Sequence, residues 1–215
     1  MFGSTFRSMV LASLLCLAGT AQAGFTTYTD KAAFLAALSA PATDTFNDLP
    51  LAMVASPLSR AATIAPYSYT ATATNGFFPG GAPADVWLRP SAATDEITIT
   101  NIPTDVRGIG GYFFGTDNLG NLQSGGDLIV QANAGGGGLG VGVLGATTSS
   151  FMGFVSDGPI DSFAIRMSGS QTLPGTYWAT ANDLIFAVAS TTPVQVKAVS
   201  RKSHGAATFD LPLVP

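Results

Sequence analysis

Few residues of this chain can do covalent chemistry, and they are scattered. The 215 residues hold one histidine, His204, one cysteine, Cys16, and one glutamate, Glu96. A Ser-His-Asp hydrolase needs a base within reach of its serine, and no serine here has the G-x-S-x-G surround of a nucleophile elbow. Paired carboxylates for glycoside hydrolysis would have to be aspartates, and most of these stand beside Gly, Pro or Asn in turn-like sequence. A lyase working through Tyr and Arg needs no such pair, and Tyr67, Tyr69 or Tyr112 could serve, although no motif marks them. Gly140-Val-Gly-Val-Leu-Gly145 fits G-x-G-x-x-G. That pattern holds a pyrophosphate only where a helix opens at its last glycine, and Ala146-Thr-Thr-Ser-Ser does not start one. The run Ala134–Gly145 therefore reads as a flexible or bulged loop.

Binding chemistry has better candidates. Phe77, Phe78, Trp87, Tyr177 and Trp178 lie in or beside expected loops, where exposed rings stack on sugar faces. The ordinary alternative is that such rings plug the ends of a β-core. Calcium asks for several hard oxygen ligands converging from loops. Asn47-Asp48 and Asn182-Asp183 would supply them if the first and last strands pair, and Asp117-Asn118 forms a second cluster. Turn capping is the ordinary role of each. A structural calcium is thus the one cofactor the residues point to, and His204 has no second ligand nearby.

Composition narrows the partners. Charged residues make up 10% of the chain, with 25 glycines and 13 prolines, while 47% hydrophobic content argues against disorder. Between Gly24 and Thr192 twelve acidic residues face five basic ones. Such a surface repels nucleic acid and anionic lipid. Arg7, the apolar run Met9–Ala18 and the small-x-small ending Ala21-Gln-Ala23 form a signal peptide over residues 1–23, too short to span a bilayer. Cys16 lies within it behind Leu15, not the small residue that lipidation requires. The mature chain is expected to be cysteine-free, secreted or periplasmic, and without a membrane span.

The elements that must position the binding residues are strands. Tyr67, Tyr69, Ala71 and Ala73 alternate with Ser and Thr, and Ile97 and Ile99 alternate with Thr98 and Thr100. Arg107–Val130 reads as strand, turn and strand around Gly115-Thr-Asp-Asn, the pair on which the rest packs. Phe151–Val155 and Ser162–Met167 flank an Asp157-Gly158 turn, and Leu184–Val188 is apolar on both faces, as in a covered central strand. One helix is expected over Thr29–Leu38, stopped by Pro41 and covering an end of the sandwich, with residues 49–62 as loop. Val194–Ala198 adds a further candidate strand. The expected fold is all-β, a two-sheet antiparallel jelly-roll-like sandwich over residues 24–191 with one short N-terminal helix. Residues 192–215 form a basic tail.

Four stretches remain to be placed: Tyr28–Leu38 leading into Thr45-Phe-Asn-Asp48, Gly110-Gly-Tyr-Phe-Phe-Gly115, Phe151-Met-Gly-Phe-Val-Ser-Asp157 and Asn182-Asp-Leu-Ile-Phe186. Together they resemble the secreted bacterial proteins of the PEP-CTERM group. The resemblance implies a sandwich of unassigned function from bacteria that make extracellular polysaccharide. The chain departs from the group in lacking a Pro-Glu-Pro motif, and Val199–Leu213 looks instead like the opening of another secreted module. The expected function is non-catalytic binding of polysaccharide or a surface protein in the envelope or matrix. The alternatives are a polysaccharide-active enzyme on the same scaffold and a structural spacer.

Overall fold

The computed structural model describes residues 23–61, 64–169 and 177–190. Residues 1–22 of the expected signal peptide, the strand expected over 194–198 and His204 lie outside them. In chain order the elements are β1 (Phe25–Tyr28), α1 (Lys31–Ala36), β2 (Leu38–Asp44), β3 (Leu58–Arg60) and β4 (Tyr69–Thr72). Then come β5 (Gly80–Ala82), β6 (Asp85–Trp87), β7 (Ile97–Thr100), β8 (Val106–Thr116) and β9 (Leu128–Ala134). The last are β10 (Gly137–Val143), β11 (Phe151–Ser156), β12 (Ile160–Met167) and β13 (Trp178–Ala189). One sheet runs β1-β11-β8-β13-β2, the other β10-β9-β12-β7-β4-β3, and β5-β6 is a separate hairpin. Every pairing is antiparallel, so the chain is the expected two-sheet sandwich.

Alternation makes the core. Tyr69 and Ala71 on β4, Ile97 and Ile99 on β7, and Leu128, Val130 and Ala132 on β9 all point inward and are buried, while their neighbours are half-exposed. Rings cross the interface: Phe163 of β12 meets Phe113 of β8 at 5.6 Å and Phe154 of β11 at 5.8 Å. Each fully buried Phe contributes roughly 1.5–3 kcal/mol of burial.

Topology corrects the strand–turn–strand unit. β8 and β9 belong to different sheets, so residues 117–127 cross the sandwich rather than close a hairpin. The Asp157-Gly158 turn does the same between β11 and β12. The glycine-rich run is also corrected: it is no loop, but β10 in unbroken register with β9. Gly135 and Gly136 turn with φ of 56° and 79°, a pair of positive values that suits a tight hairpin. Leu139, Val141 and Val143 then face inward and Gly138, Gly140 and Gly142 outward. No phosphate loop exists there, because the next element is a strand, not a helix. Residues 49–62, read as loop, contain β3.

The helix is shorter than expected and sits elsewhere. Asp30 caps it by accepting from Ala33 N at 2.7 Å, and it ends at Ala36, with Leu38 already in β2. Pro41 lies inside that edge strand at a break in its register with β13, a place where a missing N–H is tolerated. Instead of closing an end, α1 covers the outer face of the five-stranded sheet, where Phe34 and Leu38 pack with Phe151, Ile185 and Ala187. Gly153 and Gly108 make the seat. A Cβ on Gly153 would stand 2.5 Å from the Phe34 ring, and one on Gly108 would strike Leu38. Gly153→Ala is therefore expected to cost about 1–3 kcal/mol by overpacking. In urea unfolding, adding Phe34→Ala to Gly153→Ala should cost less than the two single losses summed, because the second change removes the clash.

Candidate functional site

The hairpin β5–β6 is a separate piece that three polar contacts place. Asn47 Oδ1 accepts from Val86 N at 2.8 Å, and Asn182 Nδ2 donates to Asp85 Oδ1 at 2.9 Å. Gly81 N donates to Gly120 O at 3.2 Å, tying the hairpin to the turn after β8. Beyond the hairpin, Leu88 and Ala181 exchange backbone hydrogen bonds at 3.0 and 2.9 Å. The turn is built by Asp117, whose carboxylate accepts from the amides of Leu119 and Asn121 at 2.9 and 2.8 Å. Slight burial pushes the Asp117 carboxyl up, and the hydrogen bonds from Asn121 and Leu119 outweigh it and hold the group below its ordinary value. Gly80 and Gly120 touch where the two loops meet, leaving no room for a side chain on either.

Between hairpin and turn lies a cleft of about 260 Å³, lined by Gly81, Ala82, Asp85, Trp87, Asn121 and Leu122 together with Gly120. The half-buried Trp87 ring meets Phe114 edge-on at 4.8 Å and lines the cleft beside Gly81. Its Nε1 is buried and has no hydrogen-bond partner among the described residues. The cleft thus offers an aromatic surface, a carboxylate and an amide within one small concavity, which is the equipment for a polyhydroxylated ring: C–H groups against indole, hydroxyls donating to Asp85.

Arg89 lies beneath this junction. It is 2% exposed, and no carboxylate among the described residues pairs with it. Its guanidinium donates to Asn118 O at 3.0 Å and Asp117 O at 3.4 Å. It lies 5.4 Å from the Phe78 ring centre and 5.6 Å from that of Trp178. Burial lowers its pKa, with Asp117 opposing. Ring faces and turn carbonyls carry the charge in place of an acid. Sequence reasoning missed Arg89. Its only signal is one arginine set two residues after a tryptophan in a chain with little charge.

The five aromatics proposed as a sugar platform do not form one row. Phe77 is fully buried between Val54 and Pro90, and Trp178 is 8% exposed with Nε1 donating to Ser91 O at 3.2 Å. Tyr177 is half-buried on Gly115 and Gly126, with its hydroxyl 3.5 Å from Ser124 O. Phe78, 39% exposed, meets Trp178 only through Arg89. Trp87 alone among the five lines the cleft.

The proposed calcium ligands are also apart in their engagements. β2 and β13 do pair, with Asp44 opposite Leu184. Yet Asn47 holds Val86, Asn182 holds Asp85, and Asp183 lies 3.7 Å from Lys31 Nζ. Asp48 accepts from both terminal nitrogens of Arg60 at 2.7 Å. Among the described residues no three His, Cys, Asp or Glu side chains gather closely enough to hold a metal.

Arg60 anchors a second polar cluster. Besides Asp48 it donates to both oxygens of Asp44, at 2.8 and 2.6 Å, and Tyr69 adds its hydroxyl to Asp44 at 2.8 Å. Burial works against the Arg60 charge, but its bonds to Asp44 and Asp48 prevail and raise its pKa above the ordinary value. Burial, then the charge of Asp44, pushes the Tyr69 hydroxyl well up. A tyrosine and an arginine, the pair a lyase would use, therefore meet here at Asp44 but are closed, with Tyr69 stacked on Phe186 at 4.9 Å. Tyr67 spends its hydroxyl on Ala40 O at 2.6 Å, and Tyr112 lies on the helix side beneath Lys31.

A scan against protein-family models and a search of curated proteins each returned no match.

Removing Arg60 strands Asp44 in the interior, so Arg60→Ala is expected to lose ~3–5 kcal/mol in chemical denaturation. The hydrogen bonds from Arg60 lower the Asp48 carboxyl. A lowered folded-state value gives stability above the unfolded carboxylate pKa, about 3.9, that disappears as pH falls through the folded value. Melting temperatures measured from pH 5 to pH 2 should fall more steeply in the parent than in Asp48→Asn. The difference will be small, because Asp48 is 46% exposed.

Proposed function

We propose that this chain is an exported, non-catalytic β-sandwich that binds polysaccharide in the cell envelope or extracellular matrix, with the Trp87 cleft as its sugar subsite. The observation that carries the proposal is the half-open indole beside Asp85 and Asn121 in a concavity of about 260 Å³. That volume suits one sugar unit of a chain whose neighbours lie outside. Exposed Leu122 and Leu119 beside it extend the apolar surface along the turn. The closed state of the Arg60–Tyr69–Asp44 set supports binding over catalysis, since a polymer has no path to it. The excess of acidic residues disfavours nucleic acid, and the resemblance to the PEP-CTERM group points to the same extracellular setting.

Export has support at the chain start. Cleavage after Ala23 would turn Gly24 N into an ammonium group 2.8 Å from Asp157 Oδ1, one residue before β1 begins. The cut would thereby exchange an amide hydrogen bond for a charge-assisted one.

Polysaccharide pull-down or glycan-array binding tests the subsite. Trp87→Ala should weaken binding at least tenfold, and Ala82→Leu, which fills the cleft from an exposed position, should do the same without removing any core packing. Trp178→Ala should instead lower stability by about 3–5 kcal/mol through its buried ring. Undiminished binding by folded Trp87→Ala and Ala82→Leu proteins would refute the subsite, and capture of a surface protein in place of glycan would redirect the reading to protein recognition. For export, mass spectrometry of the secreted chain should find Gly24 at its start. Asp157→Asn should lower the melting temperature of that form more than that of the uncleaved chain.

A further inference from the structure

Four strands end the two sheets, and three of them are blunted. β3 has three residues and β1 four, while β2 is broken by Ala40 at φ 47° and by Pro41. Short, kinked or proline-bearing edges are how sandwiches avoid pairing with other chains. β10 has none of these devices. It is seven residues long, holds one register against β9, and contains no charge and no proline. Among the described residues its other side pairs with no strand.

The glycines of β10 sharpen the contrast. A Cβ on Gly138 would strike Asn133, so that glycine has a reason within the chain. Gly140 and Gly142 have none. Neither has a positive φ, and the nearest atom to an added Cβ is 3.7 Å away in each case, an ordinary contact. Glycine weakens a strand interior, so at these two places it leaves the outward face of the edge bare without serving the packing of its own chain.

We propose that β10 is a dimer seam, on which a second copy of this chain adds its own β10 antiparallel about a two-fold axis at Gly140. The strand is its own complement in length and in lack of charge, as an isologous contact demands. An acidic chain meets its copy with least repulsion along an uncharged edge. The register has a further fit. Pairing Gly140 with Gly140 sets Leu144, 78% exposed, opposite the partner's Gly136, around whose Cβ position no described residue comes within 4 Å. Asp127 and Asp161 stand at the two ends of the strand, each capping a backbone N–H, of Gly145 at 2.8 Å and of Gly135 at 2.9 Å. The dimer brings the Asp127 end of one copy near the Asp161 end of the other, so added salt should strengthen it.

Sedimentation velocity of the purified chain across a concentration series tests this seam, and its outcome is independent of glycan binding. The expected result is a monomer–dimer equilibrium that tightens with salt. Gly140→Asp, which sets two carboxylates face to face across the axis, should raise the dissociation constant at least tenfold with the melting temperature of the dilute monomer little changed. Gly140→Ala should leave the dimer in place. Leu144→Lys, at a site too exposed to disturb folding, is the second disrupting variant. A monomer at every concentration, or a dimer indifferent to both Gly140→Asp and Leu144→Lys, overturns the proposal. So does slow amide exchange across residues 138–142 in dilute monomer, which would mean that the edge is already covered within its own chain.

Discussion

Phe163 is the point where the two sheets become one structure. Its ring reaches from the six-stranded sheet to Phe113 and Phe154 of the five-stranded sheet, and the surrounding core is nearly all aliphatic and aromatic. With its one cysteine at position 16, the domain has no disulfide to fall back on, and packing across this interface carries the fold. The outer helix repeats the device on a smaller scale. Phe34 presses on a sheet that has given up side chains at Gly108 and Gly153 to receive it.

Two buried arginines then fix the parts that packing does not reach, by opposite means. Arg60 is saturated with carboxylates and ties the loop after β2 to β3 and β4. Arg89 has only rings and carbonyls, and it ties the β5–β6 hairpin region to the Asp117 turn. The first arrangement closes a would-be reactive cluster. The second holds two loops side by side with a cleft between them, so the geometry of the cleft depends on a cation that contributes no atom to its lining.

The sandwich was legible because alternation is a local signal: Tyr69–Thr72 and Ile97–Thr100 state their inward faces residue by residue. Partner choice is not local. Nothing in Gly115–Asp127 distinguishes a hairpin turn from a connection between sheets, and both use the same Asp, Asn and Gly chemistry. Leu139, Val141 and Val143 did alternate, but glycine at every other place hid the period behind an appearance of low complexity. The helix was overextended because Leu38 suits helix and strand alike, and the edge position that lets Pro41 sit in β2 is a tertiary fact. At the candidate site, Trp87 alone of the five rings named from the sequence lines the cleft, and the others mostly pack inward. The sequence had no means to show Arg89, whose role rests on residues from the segments around positions 78, 118 and 178 meeting in space.

The crossing connections have a consequence for how the molecule comes into being. Because the chain steps from one layer to the other between β8 and β9, and again between β11 and β12, neither layer is a continuous length of polypeptide. The outermost pairing of the first layer, β2 with β13, joins residues near the two ends of the domain. Such a topology earns little stabilisation until nearly all of it has been synthesised, and folds of distant pairings assemble on millisecond-to-second timescales rather than in microseconds. A nascent chain of this kind cannot complete the pairing of β2 with β13 until its last strand has been made, and the five-stranded layer then closes as a whole.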